Sequence, residues 1–330
     1  MNDLLEIRNL KITTLRGKET VRLLDQVDLT IRKKCSFGIV GESGCGKSIT
    51  ANAVLGLLPY PLAVSGGSIR YDSRQGEKDL LRLSKKELQQ LRGSEISMIF
   101  QEPMTSLDPI FTVEMQMAEA LSFHHPGIGR GEARDRSLDM LRKVRIPRPE
   151  QTLSSYPHQL SGGQLQRIMI AIALINNPRL LLADEPTTAL DVTIQAQILR
   201  LMNELKEQND TSVVMITHDL GVIAETCQEV AVFYAGQIVE QADVVELFTH
   251  TAHPYTQGLL RAVTSLGGAN RKLYTIPGIV PPGGQWLSGC RFADRCDRCT
   301  ERCRREMPGL TEISPGHLCR CFLHSREVET

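Results

Sequence analysis

An octapeptide near the N-terminus, Gly41-Glu42-Ser43-Gly44-Cys45-Gly46-Lys47-Ser48, matches the pattern G-x-x-x-x-G-K-[ST] in full. Glycines in this pattern let backbone N–H groups turn inward around phosphate oxygens, a conformation that side chains would block. Lys47 provides a positive charge for the β- and γ-phosphates, and Ser48 provides a hydroxyl for Mg²⁺. An ordinary glycine-rich turn is disfavoured, because a strand is predicted before the octapeptide and a helix after it. The pattern therefore predicts a phosphate-binding loop.

Two carboxylates far downstream complete a candidate hydrolytic site. Leu180-Leu181-Leu182-Ala183 predicts a buried strand that ends in Asp184 and Glu185. In nucleotide hydrolases, an acid at the end of a strand holds Mg²⁺ through water, and we assign this role to Asp184. Glu185 lies one residue further, where it could polarise the attacking water. Alone, the pair would be a strand end with solvated acids, but beside a complete phosphate loop the catalytic interpretation is favoured.

The remaining pattern predicts an α/β fold. The strand Ser36–Val40 leads into the loop, and a helix follows from Ser48 to Leu58. Further strands and helices alternate, which is typical of a parallel sheet covered on both faces. These elements are helix 164–176, strand 180–183, helix 193–208 and strand 212–217.

Composition narrows the class of protein. The 330 residues carry 38 Lys and Arg against 38 Asp and Glu, so the net charge is zero. This balance argues against a protein whose main task is to coat nucleic acid or an anionic membrane. The longest apolar run, Ile168–Ile175, is too short to span a bilayer. The N-terminus lacks the pattern of a signal peptide, so we expect a cytoplasmic location.

A second motif carries a family resemblance. Leu160-Ser161-Gly162-Gly163-Gln164-Leu165-Gln166-Arg167 matches the signature of the ATP-binding cassette (ABC) family, and the chain resembles that family. Ser161 and the two glycines would present hydroxyl and N–H groups at the start of a helix, which suits an anion. In the family, this segment closes over the γ-phosphate bound by a partner's loop. The resemblance therefore implies a dimer, with itself or with a second ATPase, that sandwiches two ATP molecules.

Other family positions occur in the expected order. Gln101, in Phe100-Gln101-Glu102-Pro103, matches the glutamine that senses Mg²⁺ and γ-phosphate and contacts the membrane subunit. Asp191, in Ala189-Leu190-Asp191, matches the loop that crosses the dimer interface, and His218 matches the switch histidine. The resemblance implies catalytic roles for Lys47, Gln101, Glu185 and His218, and Mg²⁺ ligation by Ser48, Gln101 and Asp184. Nucleotide contacts are expected from Gly41, Glu42, Ser43, Gly44, Cys45, Gly46, Lys47, Ser48, Ile49, Gln101, Asp184, Ser161, Gly162, Gly163, Gln164 and Asp191.

The adenine site departs from the family pattern. The family usually stacks adenine on an aromatic residue shortly before the phosphate loop, but residues 1–36 contain no Phe, Tyr or Trp. Val21 or Arg22 is the remaining candidate to face the base.

The resemblance also implies the domain organisation. We expect a RecA-like nucleotide-binding core of mixed sheet and flanking helices, formed by 1–103 and 159–240. The helical periodicity of 104–158 indicates an α-helical subdomain. A small Cys-rich C-terminal extension is expected at 241–330, with a Gly- and Pro-rich linker at 265–289 before the cysteine segment.

Several segments narrow the resemblance to the ATPase subunits of dipeptide and oligopeptide importers, a group that includes nickel and metal-chelate importers. They are Ala183–Gln197, His253-Pro254-Tyr255-Thr256, Ile276-Pro277-Gly278 and Gly289–Cys296. The resemblance implies a peripheral ATPase at the cytoplasmic face of the membrane, working with two permease subunits and an external solute-binding protein. Nickel or a metal chelate is the alternative solute. A soluble cassette protein of translation or DNA repair is disfavoured, because such chains usually hold two cassettes and this one has a single signature.

Six of the nine cysteines crowd into residues 290–321. Without a secretion signal, such a cluster favours metal binding over disulfides. Peptide-importer ATPases carry cysteines at the spacing of Cys290, Cys296, Cys303 and Cys321, and some bind a 4Fe–4S cluster there, so the resemblance implies that cluster. Four thiolates would also suit zinc, for which Cys296 and Cys299 form a C-x2-C step, and free thiols or disulfides stay open. His317 is expected to be a polar surface residue rather than a ligand.

Overall fold

The computed structural model describes residues 3–17, 19–188, 190–264 and 274–324. These residues form two compact units. The central unit contains the described residues of Met1–Leu4, Ile31–Cys35 and Tyr71–Met215. The terminal unit contains those of Leu5–Thr30, Ser36–Arg70 and Ile216–Thr330.

The terminal unit contains strands from both ends of the chain. Its N-terminal elements are β1 (Asp3–Arg16), β2 (Glu19–Arg32), β3 (Ser36–Val40), α1 (Lys47–Leu55) and β4 (Ala63–Ser73), of which the strands β1, β2 and β4 each place a few residues in the central unit. Its later elements are α9 (Leu220–Thr226), β9 (Glu229–Tyr234), β10 (Gln237–Asp243), α10 (Val244–Thr249), α11 (Pro254–Thr264), α12 (Glu301–Arg305), β11 (Thr311–Ser314) and β12 (His317–Cys319).

The sheet of the terminal unit is mixed. Strand β3, buried at all five residues, pairs in parallel with β9, and Phe37 lies opposite Glu229. Strand β9 then pairs antiparallel with β10, β10 with β12, and β12 with β11. A second set of strands is hydrogen bonded in the order β2, β1, β4. The continuous burial of β3 agrees with the apolar run expected of a strand covered on both faces.

The central unit joins buried strands to a group of helices. Its strands are β5 (Gly76–Asp79), β6 (Ile96–Ile99), β7 (Leu180–Asp184) and β8 (Ser212–Thr217), the last of which ends in the terminal unit. Its helices are α2 (Lys85–Leu91), α3 (Pro103–Ser106), α4 (Val113–His124), α5 (Arg130–Lys143), α6 (Pro149–Leu153), α7 (Gly162–Leu174) and α8 (Val192–Asn209). Strands β6 and β7 are parallel, with Ile99 opposite Ala183. Strand β7 is buried at every residue, and Asp184 is its last residue. The Asp184 carboxylate therefore lies at the carboxyl end of the strand.

The α/β prediction is confirmed, and the differences have local causes. Strand β2 is continuous from Glu19 to Arg32, although Gln26 within it takes a positive φ of 52°. Helix α1 ends three residues earlier than expected, because Gly56 adopts a left-handed conformation and caps it. The four strands after residue 228 were not predicted, and the expected boundary at 240/241 lies inside β10. Residues 265–273 of the predicted linker lie outside the described residues.

Candidate functional site

The phosphate loop lies between β3 and α1, as predicted. Gly46 has a φ of 108°, and a Cβ there would come within 2.3 Å of a methyl group of Leu24. A Cβ on Gly41 would come within 2.3 Å of the backbone oxygen of Phe233. A larger residue at Gly41 would require the backbone of Phe233 to move, and one at Gly46 would displace the Leu24 side chain and take a φ that favours glycine. The two glycines are therefore needed for the shape of the loop.

Lys47 is held inside this loop. Its side chain is almost fully buried, and its ammonium donates to the carbonyl oxygens of Gly41 (2.7 Å) and Glu42 (3.2 Å). Because α1 begins at Lys47, the N–H groups of Lys47, Ser48 and Ile49 belong to the first turn of a nine-residue helix. These N–H groups have no partner within the helix, and the helix dipole adds a partial positive charge, so this end of α1 suits an anion.

Glu42 has a role that its place in the motif does not indicate. Its carboxylate pairs with Arg295, and its backbone N–H donates to the Tyr255 hydroxyl. Glu42 was predicted to contact nucleotide, whereas these partners of its carboxylate and its backbone N–H come from the C-terminal part of the chain. No sequence pattern pointed to this pairing, because 253 residues separate the two charges.

The central unit brings Glu185, the predicted catalytic glutamate, together with Gln101, the predicted loop glutamine. The Gln101 amide donates to Glu185 Oε2 at 3.2 Å, and the Thr188 hydroxyl donates to the same oxygen at 2.7 Å. Glu185 has a φ of 47°, a conformation uncommon for a residue other than glycine, whereas Asp184 before it is buried at the end of β7. Two hydrogen-bond donors thus orient a carboxylate that directly follows a buried one.

The signature segment forms an exposed helix start. Ser161 is the N-cap of α7, since its hydroxyl accepts from the Gln164 N–H while the Gln164 side chain accepts from the Ser161 N–H. Ser161 and Gly162 are exposed, and Gly163 follows in the same turn. Asp191 caps α8 by accepting from the Ile194 N–H at 2.9 Å. Ala189 lies outside the described residues.

The predicted site residues divide between the units. Lys47, Ser48 and His218 belong to the terminal unit, where His218 directly follows β8 with an exposed side chain. Gln101, Asp184 and Glu185 belong to the central unit, together with Ser161 and Asp191. Val21 and Arg22 are the two candidates for contact with adenine. Arg22 forms an ion pair with Asp25 at 3.1 Å, and Val21 is buried. Val21 packs closely against Gly284, where an added Cβ would lie 2.9 Å from a Val21 methyl group. Neither Val21 nor Arg22 provides an aromatic ring on which adenine could stack.

The four cysteines expected to bind the cluster lie around one cavity, but they are not arranged as a metal site. Cys290, Cys296, Cys303 and Cys321 line a cavity of about 190 Å³ in the terminal unit. Burial raises the pKa of Cys290 to about 11, which favours the protonated thiol. Among the described residues, no three His, Cys, Asp or Glu side chains are arranged to hold a metal ion. The predicted metal site therefore finds no support in the present positions of these side chains.

The expectation for His317 is wrong. This side chain is 1% exposed and donates from Nε2 to Glu240 Oε1 at 2.9 Å. Glu240 is fully buried and also accepts the N–H groups of Ala252 and His253. Burial alone would raise the pKa of Glu240, but the hydrogen bonds, led by that from His317, bring it below its usual range. Glu240 on β10 thus binds both His317 of β12 and the residues just before α11.

Comparison with known proteins decides the family. The profile of the ABC transporter family matches residues 24–188. A probable peptide ABC transporter ATP-binding protein, y4tR of Sinorhizobium fredii, is 51% identical over 328 residues, which cover 98% of this chain and 96% of that protein. The chain belongs to the ABC transporter family. No helix in the described ranges is both long and apolar enough to cross a membrane.

Further comparisons place the chain within the family. The profile of the oligopeptide/dipeptide transporter C-terminal region matches residues 239–303. The oligopeptide transport ATP-binding protein AppD of Bacillus subtilis is 47% identical, with coverage of 99% of this chain and 98% of AppD. The dipeptide transport ATP-binding protein DppD of Escherichia coli is 44% identical, with coverage of 94% of each chain. Among solved structures, the dimeric post-hydrolysis ATP-binding cassette MJ0796 with ADP and Pi is 30% identical, with a TM-score of 0.65 over 73% of this chain and 99% of MJ0796.

Proposed function

We propose that this chain is the ATP-hydrolysing subunit of an importer that carries dipeptides or oligopeptides across the cytoplasmic membrane. The match of residues 239–303 to the oligopeptide/dipeptide transporter C-terminal region carries the proposal, because it lies outside the general ATPase cassette. The relatives AppD and DppD, similar over nearly their whole length, are named for peptides. This favours peptides over nickel or a metal chelate.

The chemistry assigned to the site residues is phosphoryl transfer to water. Lys47 exchanges the carbonyl oxygens of its own loop for phosphate oxygens, so its charge is already in place when ATP binds. Glu185, oriented by Gln101 and Thr188, accepts a hydrogen bond from the attacking water. The hydroxyl of Ser48, the Asp184 carboxylate and the Gln101 amide oxygen would hold Mg²⁺, which prefers such oxygen ligands and neutralises phosphate charge. We assign to His218 the family's switch role near the γ-phosphate.

Dimer formation would complete the nucleotide site. The exposed start of α7 offers the Ser161 hydroxyl and N–H groups to an anion that the chain's own loop does not hold. MJ0796, which resembles this chain in fold, is dimeric. We assign to Ser161, Gly162, Gly163, Gln164 and Asp191 the contacts with a second ATPase subunit and its nucleotide. That subunit is a second copy or a similar chain.

A groove in the central unit is the proposed docking site for the permease. It has a volume of about 590 Å³ and lies between the Gln101 loop, α4 and α7. Its lining includes Phe100, Phe111 and Phe123, which are about 40–60% exposed. Exposed aromatic side chains in one groove suit an apolar helix of a partner, and adjacency to Gln101 would couple that partner to hydrolysis. Binding there would hold the chain at the cytoplasmic face of the membrane.

A charged residue in this groove is expected to release the permease. Phe123→Asp should reduce co-purification with the permease subunits about tenfold or more, since a carboxylate would lose its water on docking. Val245→Asp is the matched control, because Val245 is also exposed but lies on α10 in the terminal unit. Equal loss with both variants, or none with Phe123→Asp, would reject the groove as the docking site.

The cysteine cavity is the proposed site of a 4Fe–4S cluster. Four thiols around one cavity provide the donor set of such a cluster, and ligand binding would draw them together. When bound, the cluster would cross-link a segment that has little apolar core of its own. Zinc on the step Cys296–Cys299 is the alternative. Iron and acid-labile sulfide, measured on the anaerobically purified chain, decide between them, because zinc without sulfide would contradict the cluster.

Uptake measurements test the transport function. Cells with the native chain and cells that lack it are given labelled dipeptide, labelled oligopeptide and nickel. We expect the cells that lack the chain to lose peptide uptake and to keep nickel uptake. Loss of nickel uptake alone would assign the chain to metal import, and unchanged uptake of all three would contradict the proposal.

A further inference from the structure

Three sequence motifs of the terminal unit lie around Arg295 and its partner Glu42, a residue of the phosphate loop. They are the His253–Thr256, Ile276–Gly278 and Gly289–Cys296 segments, and no residue of these segments was assigned to ATP hydrolysis above. The third contributes Arg295, whose guanidinium forms a fork with the Glu42 carboxylate. The distances are 3.0 Å from Nη1 to Oε2 and 3.1 Å from Nη2 to Oε1.

The guanidinium of Arg295 is held on all sides. Its Nε donates to the carbonyl oxygen of Pro277 at 2.9 Å, and Nη2 is 3.4 Å from that of Ile276. Its charge lies 5.7 Å from the centre of the Tyr234 ring, and its side chain is 6% exposed. A planar fork fixed in this way loses little conformational entropy when it binds a carboxylate. Since the Arg295 side chain is largely shielded from water and that of Glu42 is 29% exposed, the pair is also stronger than a fully exposed ion pair.

Glu42 is held at its backbone as well as at its side chain. Its N–H donates to the Tyr255 hydroxyl at 3.0 Å, and its carbonyl oxygen accepts from Lys47 at 3.2 Å. Tyr255 is itself fixed, because it is fully buried and its ring centre lies 4.6 Å from that of Tyr234. The first residues of the loop are therefore held by groups that lie outside the loop.

We propose that Arg295 is a positioning residue for ATP binding, which acts through Glu42 to keep the phosphate loop in its binding conformation. It does so without touching nucleotide. When the fork is absent, the loop samples other conformations, and ATP must order it on binding, which weakens affinity. At saturating ATP the loop is ordered by the nucleotide, and the residues assigned to the hydrolytic step, Glu185 and Gln101, are unchanged. The effect therefore falls on KM rather than on kcat.

Steady-state hydrolysis by the full complex tests this inference. We expect Arg295→Gln to raise the KM for MgATP about tenfold and to change kcat less than about twofold. Glu42→Gln should raise KM to a similar extent. The KM of the double variant should be no higher than that of either single variant, because each of the three variants lacks the same Arg295–Glu42 fork. Arg305→Gln is the matched control, since Arg305 forms an exposed pair with Glu301 on α12.

Two further measurements distinguish a positioning role of Arg295 from a merely structural one. Arg295→Lys keeps the charge but not the fork, so its KM should lie between those of the native chain and Arg295→Gln. A fall in kcat at unchanged KM, or additive effects in the double variant, would overturn the inference. The inference rests on the proposed assignment of residues 41–48 to phosphate. Lys47→Ala distinguishes the two, because full ATP binding in that variant would reject the assignment itself.

Discussion

Glu185→Gln is expected to lower ATP hydrolysis by about a hundredfold or more and to leave ATP affinity within about threefold. The amide has nearly the same shape as the carboxylate, but it carries no negative charge and cannot polarise water in the same way. Gln101 and Thr188 both donate to the carboxylate oxygen, so the native arrangement needs an acceptor at that position. Binding is retained because Lys47 and the loop are untouched.

The measurement compares turnover and nucleotide binding on the same purified complex. Glu207→Gln provides the control, since Glu207 is exposed on α8 in the same unit and far along the chain from β7. The hydrolysis-deficient variant should also accumulate bound ATP, whereas the control should not. Normal turnover by Glu185→Gln would remove this residue from its assigned role and leave water activation to another group.

Lys47→Ala is expected to have the larger effect on transport, because it acts before hydrolysis. It removes the only side chain of the loop that carries a positive charge. Charge-assisted hydrogen bonds of this kind contribute about 1.5–3 kcal/mol each, so we expect ATP affinity to fall by about tenfold to a hundredfold. Peptide uptake should fall towards the level of cells without the chain, since lower ATP occupancy and the loss of the Lys47 charge from the phosphates both reduce hydrolysis.

Lys86→Ala is the control for this variant, because Lys86 is an exposed lysine on α2. Equilibrium binding of a fluorescent ATP analogue and uptake of labelled peptide are measured for both. If Lys47→Ala bound the analogue normally, residues 41–48 would not be the phosphate site. If it bound weakly but supported full uptake, the chain would not be the motor of that importer.

The parts of the site that the sequence predicts are those encoded by neighbouring residues. The phosphate loop needs glycines next to a lysine, and the start of α7 needs Ser161 three residues before Gln164. Such patterns are local, so they can be recognised in the sequence without knowledge of the fold. The same is true of β7, whose buried residues run directly into Asp184 and Glu185.

The parts that could not be predicted depend on contacts between distant residues. His317 was expected at the surface rather than as a ligand, but it is buried against Glu240, which lies 77 residues away in the sequence. Arg295 looked like one of many arginines in a charged segment until the fold placed it against Glu42. The cysteine spacing indicated that the thiols would gather, and they do line one cavity, but spacing carries no information on ligand geometry.

The pairing of β10 with β12 has a consequence for shortened forms of this protein. Every hydrogen-bond donor named above for the Glu240 carboxylate lies after residue 250, at Ala252, His253 and His317. A fragment that ends with the ATPase cassette would thus leave a carboxylate without those donors, and β10 would become an unprotected edge strand. Proteolysis between β10 and β12 should therefore produce aggregation rather than a smaller soluble ATPase.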